Sequence, residues 1–232
     1  MKIRYDLHIH SGLSPCADND MSPINILAMA SVKGLNMIAV ADHNGIGNVA
    51  AAIEIGKLLK IEVVPAMELQ TSEDIHILCL FGDYTGLERF YGGLKFQKIK
   101  NNEQIFGEQI IYDEDGNAKA YEEYLLLTSG DISSHKVNEM AKTYGGVAVP
   151  AHIDRDANGM LNILGAVDEQ FETVELSKDA DTELIKEYEK RGNVIFDSDA
   201  HSLADIGIAG GIMNLKKNTA VCLIESLRNK NE

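Results

Sequence analysis

The sequence predicts an α/β fold in which parallel strands are wrapped by outer helices. Two observations predict it. Apolar runs alternate strand, helix, strand, helix, strand between Ile3 and Met67, the rhythm of a parallel sheet and its crossovers. Six of the seven histidines sit at or beside the end of a predicted strand, where α/β barrels gather their chemistry. At 232 residues the chain is long enough to form such a barrel as one unit.

Ile3 to Leu7 reads as the first strand. After a polar loop, Ser22 suits an N-cap, Pro23 the first helical position and Gly34 the stop. Met37 to Ala41 is the second strand, Val49 to Lys60 a helix, and Glu62 to Met67 the third strand. Only Gln70 to Asp74 separate that strand from the apolar run Ile75 to Phe81, whereas a parallel crossover needs roughly a dozen residues. The run therefore either turns back antiparallel or crosses irregularly. If it turns back, His76 lies near the end of strand three.

Residues from about 82 to 146 read as an insertion between the fourth and fifth strands, placed to act as a lid. It holds a helix near Leu87 to Lys98 and a hairpin across Asp115-Gly116-Asn117. A helix from His135 to Tyr144 is stopped by Gly145-Gly146. Regular alternation then resumes with strands Val147 to Pro150 and Thr173 to Leu176, helix Thr182 to Arg191, strand Val194 to Phe196 and helix Ala220 to Leu227. No repeat or linker divides the chain, so 1–232 reads as one domain.

Apolar residues make up 45% of the chain, enough to bury a sizeable core. No apolar stretch reaches the roughly 18 residues of a membrane span, and the N-terminus lacks a signal peptide's apolar run. Cys16, Cys79 and Cys222 are odd in number and scattered, with no disulfide framework or cysteine zinc spacing, which fits a reducing cytoplasm. The formal net charge of −15 argues against nucleic acid bound through a basic groove. Bound metals would nonetheless place positive charge inside the acidic shell.

His8 and His10 close strand one, and His43 follows strand two beside Asp42. Glu68 closes strand three, and His76 opens the run after it. His152 follows Pro150-Ala151, and Asp199 and His201 follow the last strand. His-x-His at a strand end puts both imidazoles on one side, since side chains alternate with period two. Two neutral imidazoles there can chelate an ion, Asp-x-His repeats the arrangement with a carboxylate, and Glu68 can bridge two ions. Histidine–carboxylate clusters suit zinc, manganese or iron. Any one of these histidines alone is more often structural than ligating; six at strand ends, with acidic neighbours, are not coincidence.

These residues resemble a known family. Tyr5-Asp6-Leu7-His8-Ile9-His10-Ser11 is similar to the first motif of the PHP (polymerase and histidinol phosphatase) superfamily. Ala41-Asp42-His43-Asn44 resembles its second, Glu68 its third, and Pro150-Ala151-His152 and Asp199-Ala200-His201 the later ones, in family order. The resemblance implies a distorted (β/α)7 TIM-like barrel and a hydrolase that cleaves phosphate esters with three divalent ions. His8, His10, Glu68 and Asp199 would hold the first ion. Glu68 would bridge to a second held by His76 and His152, and Asp18, His43 and His201 would hold the third. Counting back from Pro23 in the long loop after His10 selects Asp18, with Asp20 its competitor.

The mechanism expected is attack on phosphorus by a hydroxide bridging two ions, the third ion binding phosphate oxygens. Asp42, His152 or His201 would aid proton transfer. Arg155 and His135 are the candidates for substrate binding, a guanidinium being able to clamp a phosphate bidentately. The expected partners are a small phosphorylated substrate, most simply a phosphomonoester, and inorganic phosphate. Phosphodiesterase or exonuclease action on nucleotides, and a metal-binding module without catalysis, stand as alternatives.

Overall fold

A computed structural model of the chain describes residues 1–229; the last three positions of the expected single unit lie outside it. The first strand, β1 (Lys2–Ile9), leads through a loop to α1 (Pro23–Val32). Ser22 caps α1 by accepting from the Asn25 N–H, and Gly34 beyond its end is left-handed at φ +69. β2 (Met37–Val40) runs parallel to β1, and α2 (Val49–Leu59) returns the chain to β3 (Glu62–Val63), parallel to β2.

The expected third strand is in fact two. Val64 still donates to Ile38, but the chain then leaves this sheet. Pro65 has no N–H with which to continue the ladder. The following segment, β4 (Ala66–Gln70), pairs instead with β5 (His76–Phe81) as an antiparallel hairpin. The short link therefore turns back, which is the first of the two alternatives it allowed.

In the segment after β5, α3 (Tyr84–Gly92) starts at the Asp83 cap and stops at Gly92-Gly93, well short of Lys98. A four-residue turn of helix, α4 (Glu103–Phe106), precedes the expected hairpin of β6 (Ile110–Tyr112) and β7 (Ala118–Tyr121). Next come α5 (Ser134–Thr143) and β8 (Gly146–Pro150), the latter antiparallel to β5. α6 (Met160–Leu164), β9 (Thr173–Leu176), α7 (Thr182–Arg191) and β10 (Asn193–Phe196) follow, with β9 and β10 parallel. β11 (Ile212–Asn214) pairs antiparallel with the start of β1, and α8 (Ala220–Arg228) completes the described chain.

The result is a mixed α/β fold, and the described strands do not close into one barrel. They form sheets ordered β11-β1-β2-β3, β4-β5-β8 and β10-β9, with the β6-β7 hairpin apart. The antiparallel β5 and the break at Pro65 interrupt the closed parallel ladder that the expected (β/α) barrel requires. The sheets meet instead through single links: bridges His43–Glu68 and Ile9–Ala200, and the bond from Ile153 N–H to the Glu175 carbonyl. Every one of those links involves or adjoins a histidine or carboxylate of the site.

Inside the sheets lies one apolar cluster that includes Ile3, Tyr5, Leu7, Met37, Ala39, Leu78 and Val149, covered by Leu223, Ile224 and Leu227 of α8. The outer faces pack on α1 and α2 through Ile38, Val40, Ile26 and Ala52. β1 switches faces along its length. Its register against β2 shifts between Asp6 and Ile9, so Leu7 packs in the inner cluster but Ile9 packs outward against α1. That irregularity turns His8 and His10 inward above the apolar core. No helix among the described residues is long and apolar enough to cross a membrane.

Candidate metal centre

The hairpin determines which residues can meet. Because β5 runs antiparallel to both β4 and β8, its first residue, His76, lies opposite Gln70 at the end of β4, and the adjoining Ile77 lies opposite Pro150 at the end of β8. Glu68 and His152 are thereby its neighbours. The Ile9–Ala200 bridge brings Asp199 and His201 to the end of β1, and the His43–Glu68 bridge brings the end of β2 to β4.

Five imidazoles converge on Glu68, whose side chain is 1% exposed. Its Oε1 lies 3.2 Å from His8 Nε2, 2.9 Å from His76 Nδ1 and 3.2 Å from His152 Nε2. Its Oε2 lies 2.8 Å from His43 Nδ1 and 3.5 Å from His10 Nε2. Asp199 Oδ1 closes the ring at 3.0 Å from His10 Nε2 and 3.5 Å from His8 Nε2. Three sets of ligand atoms lie within 4.8 Å of one another: His8, His10 and Glu68; His43, Glu68 and His76; and His10, His43 and His201.

Three of the rings have their tautomers set from behind. His8 Nδ1 sits 2.9 Å from Glu175 Oε2, a carboxylate that can only accept. His201 Nδ1 donates to the Asp199 carbonyl at 2.8 Å. His10 Nδ1 sits 3.0 Å from Ser14 Oγ, whose own proton goes to Asp42 Oδ1 at 2.8 Å. Each ring therefore donates outward and keeps the Nε2 lone pair free, the arrangement that orients histidines on a metal. A lone pair facing a carboxylate repels it unless a cation stands between. His8 Nε2, His43 Nδ1, Glu68 Oε2 and His152 Nδ1 are all buried without a hydrogen-bond partner, an expensive state for polar atoms. These residues fit divalent ions.

Without an ion, the cluster's own charges act strongly on one another. Burial alone would raise the Glu68 carboxyl, but His76, His8 and His43 reverse the sign and hold it well below the ordinary range. Burial would lower His8, yet Glu175, Glu68 and Asp199 push it well above. His10 is lowered by burial and by its neighbours His43 and His201. Asp199 is held below the ordinary carboxylate range despite its burial, chiefly by His8 and His10. The backbone is also unusual here. His152 (φ 30), Asp199 (φ 48) and Asn44 (φ 45), next to His43, are left-handed without being glycine, a conformation that persists where surrounding structure imposes it.

Eight of the nine expected metal-binding side chains converge: His8, His10, His43, Glu68, His76, His152, Asp199 and His201. Asp18 does not join them. It is exposed, and its link to the site is a backbone N–H donated to the His201 carbonyl; Asp20 is exposed as well. Asp42, expected near the chemistry, is buried behind it and accepts from Ser11 N, Ser11 Oγ and Ser14 Oγ at 2.6–2.8 Å. It acts on His10 through Ser14. Arg155 does reach the rim, paired with Asp199 Oδ2. His135 is on the surface with Asp168 and Gln170.

Two residues went unread in the sequence. Glu175 sits in the ordinary apolar run of β9, with nothing beside it to mark it. Cys16, two positions before Asp18 in the loop after β1, is exposed, and the charges of the His201 and His43 rings act on it. Burial would raise its thiol, but these two imidazoles bring it down to about 7.

A family model described as PHP domain matches residues 6–166. A 5'-3' exoribonuclease of Haemophilus influenzae is 28% identical over 136 residues, covering 57% of this chain and 48% of that protein. Among solved structures, the lesion-specific endonuclease PfuEndoQ of Pyrococcus furiosus superimposes with a TM-score of 0.69 at 18% identity, over 98% of this chain and 56% of that one. A two-domain protein of Bacteroides vulgatus containing a predicted PHP-like metal-dependent phosphoesterase does so with a TM-score of 0.61 at 14% identity, over 99% and 63%. The chain thus spans about half the length of the curated relatives it matches.

Two of these similar proteins are nucleases by name, which overturns the expectation, drawn from the net charge, that argued against nucleic acid as a partner. The charge argument failed because it counted every carboxylate as facing solvent. Asp6, Asp42, Glu68, Glu175 and Asp197 are buried, and ions at the cluster would put positive charge where a phosphate has to touch.

Proposed function

The chain belongs to the PHP-domain family, and from that premise we propose that it is a metal-dependent phosphoesterase acting on a phosphodiester of a nucleotide or short nucleic acid. The observation that carries this reading is the convergence of five imidazoles on the single buried carboxylate of Glu68. His8, His10, Glu68 and Asp199 would hold one ion, Glu68 with His76 and His152 a second, and His43 with His201 a third. Divalent zinc, manganese or iron would neutralise phosphoryl oxygens and activate water near neutral pH.

The protein's own groups then have defined tasks. Glu175, Ser14 and the Asp199 carbonyl keep His8, His10 and His201 in the ligating tautomer. Arg155, at the rim, would turn from Asp199 to a phosphate oxygen. His152 and His201 would move a proton. The segment 82–146 would shape the mouth, since Ile110 N–H bonds to Gly12, and Tyr112 OH to the Asn19 carbonyl, in the loop after β1.

A nucleotide substrate is favoured by a cavity of about 650 Å³ lined by Tyr91, Phe96 and Tyr124 with Lys98, and by Asn44, the residue after His43 in sequence. Aromatic faces there would accept a base, and lysine its phosphate. A small phosphomonoester is the second reading, since the same ions would serve a terminal phosphate equally well.

The test is turnover by metal-reconstituted protein on four substrates: a short 5'-phosphorylated RNA, its DNA counterpart, a nitrophenyl phosphomonoester and the matching diester. Release of mononucleotides supports the main reading. Turnover of the monoester alone selects the second, and no turnover with any metal leaves a binding module.

A further inference from the structure

Three buried side-chain amides tie segment 82–146 to the turn that follows β2. Asn44 and Asn48, 1% and 0% exposed, bracket that turn just after His43. Asn44 Nδ2 donates to the carbonyls of Leu126 and Thr128 at 2.7 and 2.8 Å, and its Oδ1 accepts from the Gln70 N–H at 3.0 Å. Asn48 Nδ2 donates to the Ile110 carbonyl at 2.9 Å and to Ser11 Oγ at 2.7 Å, and its Oδ1 accepts from the Tyr112 N–H at 2.8 Å. Both amides thereby use both their donors and their acceptor oxygen. Gln109, also buried, joins the two clamped stretches. Its Oε1 accepts from the Leu126 N–H and its Nε2 donates to the Tyr124 carbonyl, each at 2.8 Å. The turn is packed as closely as it is bonded: a Cβ at Gly45 would lie 3.1 Å from Leu126 Cδ1, and one at Gly47 3.0 Å from Ile111 Cγ1.

On their other side these bonds lead to the histidines. Ser11 Oγ, which accepts from Asn48, donates to Asp42 at 2.6 Å, and Ser14 Oγ donates to the same carboxylate at 2.8 Å. Ser14 Oγ in turn faces His10 Nδ1 at 3.0 Å and accepts from the His43 N–H at 3.1 Å. Asn44 follows His43 directly, so whatever fixes its side chain also fixes the backbone that aims the His43 ring. We propose that Asn44 and Asn48 are positioning residues for His43 and His10, and that segment 82–146 is a fixed wall of the metal centre instead of the movable lid expected from its place in the sequence. The inference rests on the metal-dependent reading above and adds what holds the ligands. Lifting the segment would break the bonds to Leu126, Thr128, Ile110 and Tyr112 together and leave buried polar groups unpaired, an expensive state.

Amide hydrogen exchange of the metal-free full chain tests the wall. The Tyr112 and Leu126 amides should exchange as slowly as those of Leu78 and Cys79 in β5, with or without a short 5'-phosphorylated RNA. Fast exchange at Tyr112 and Leu126 that slows about tenfold or more on adding the RNA is the behaviour of a lid and would overturn the wall. Zinc alone, in a chelator-competition titration, tests the positioning role. Asn44→Gly suits the left-handed φ of 45 at that position and removes only the clamp. It and Asn48→Ala should each bind zinc about tenfold more weakly, the low end for loss of an outer partner, and should speed exchange at Leu126 and Tyr112 respectively. Leu227→Ala, in the core beneath α8, should lower the melting temperature and leave zinc affinity unchanged, which separates positioning from loss of stability. Should Asn48→Ala not fold, Asn48→Asp takes its place: it still accepts from Tyr112 but cannot donate to Ser11 or Ile110. Zinc affinity within about twofold of wild type in both asparagine variants would overturn the positioning role. A wild type that binds no zinc would defeat the metal-dependent reading and the positioning role with it, while the exchange rates would still decide between wall and lid.

Discussion

Glu175→Gln tests whether the cluster is tuned from behind. Glu175 and His8 are 1% and 0% exposed and meet at 2.9 Å, so the contact is unscreened by water. The carboxylate can only accept, which forces the proton onto His8 Nδ1 and the lone pair onto Nε2. A glutamine at the same place can offer N–H instead, letting His8 carry its proton on Nε2 and point it into the cluster. Loss of such an orienting partner costs about 10- to 100-fold in metal affinity, or about 1.4–2.8 kcal/mol. Stability should move the other way. Asp197 is held well above the ordinary carboxylate range first by burial, then by Glu175 and Asp6. The folded protein therefore keeps a proton on Asp197 that the unfolded chain has lost, and stability falls as pH rises between the two values. Removing the Glu175 charge lessens that loss at neutral pH. Chelator-competition titration with zinc and thermal melting of the metal-free protein measure the two effects. Metal affinity within twofold of wild type would refute the orienting role.

The remaining predictions address the cluster and its rim. Glu68→Gln should lose metal and at least about 100-fold in rate while keeping its fold, as read by elemental analysis and circular dichroism; full occupancy with near-normal rate contradicts a bridging role. Arg155→Ala should raise KM about 10- to 100-fold without loss of metal, with Arg155→Lys recovering only part. His135→Ala, on an exposed site, should change little, and a large effect there would move substrate recognition onto the surface around Asp168. Metal content by elemental analysis should exceed one equivalent at neutral pH and fall in acid, because ligating histidines must be neutral; a content that holds steady in acid contradicts histidine ligation. Phe96→Ala should raise KM for an oligonucleotide by the roughly 1–3 kcal/mol of a lost stacking contact, and should leave a nitrophenyl diester unaffected.

Much of the candidate cluster was legible because most of its members sit at or beside strand ends, and eight of the nine side chains expected there converge. α1 was legible through Ser22 and Pro23, and the hairpin through Asp115-Gly116-Asn117, since cap and turn residues act locally. What escaped depends on distant partners. β11 has three half-exposed residues and exists only through pairing with β1. The split at Pro65 follows from β5 offering β4 a better partner than β3's sheet. Glu175 finds His8 across 167 positions, so nothing in its neighbours marks it. Asp18 was chosen by counting through a loop, and loop conformation is the one variable that spacing does not determine.

The contact between His10 and Asp199 spans 189 positions, and this has a consequence for biosynthesis. At about 5–20 residues per second, roughly 10 to 40 s separate the emergence of the two side chains from the ribosome. Throughout that interval the nascent chain presents His8-x-His10 without the carboxylate that completes its set and without β10 beside it. His43, Glu68, His76 and His152 emerge within it, so an ion captured late in that interval would lack only Asp199 and His201 of the converging side chains. The full converging set would exist only once Asp199 and His201 dock at the end of β1 through the Ile9–Ala200 bridge.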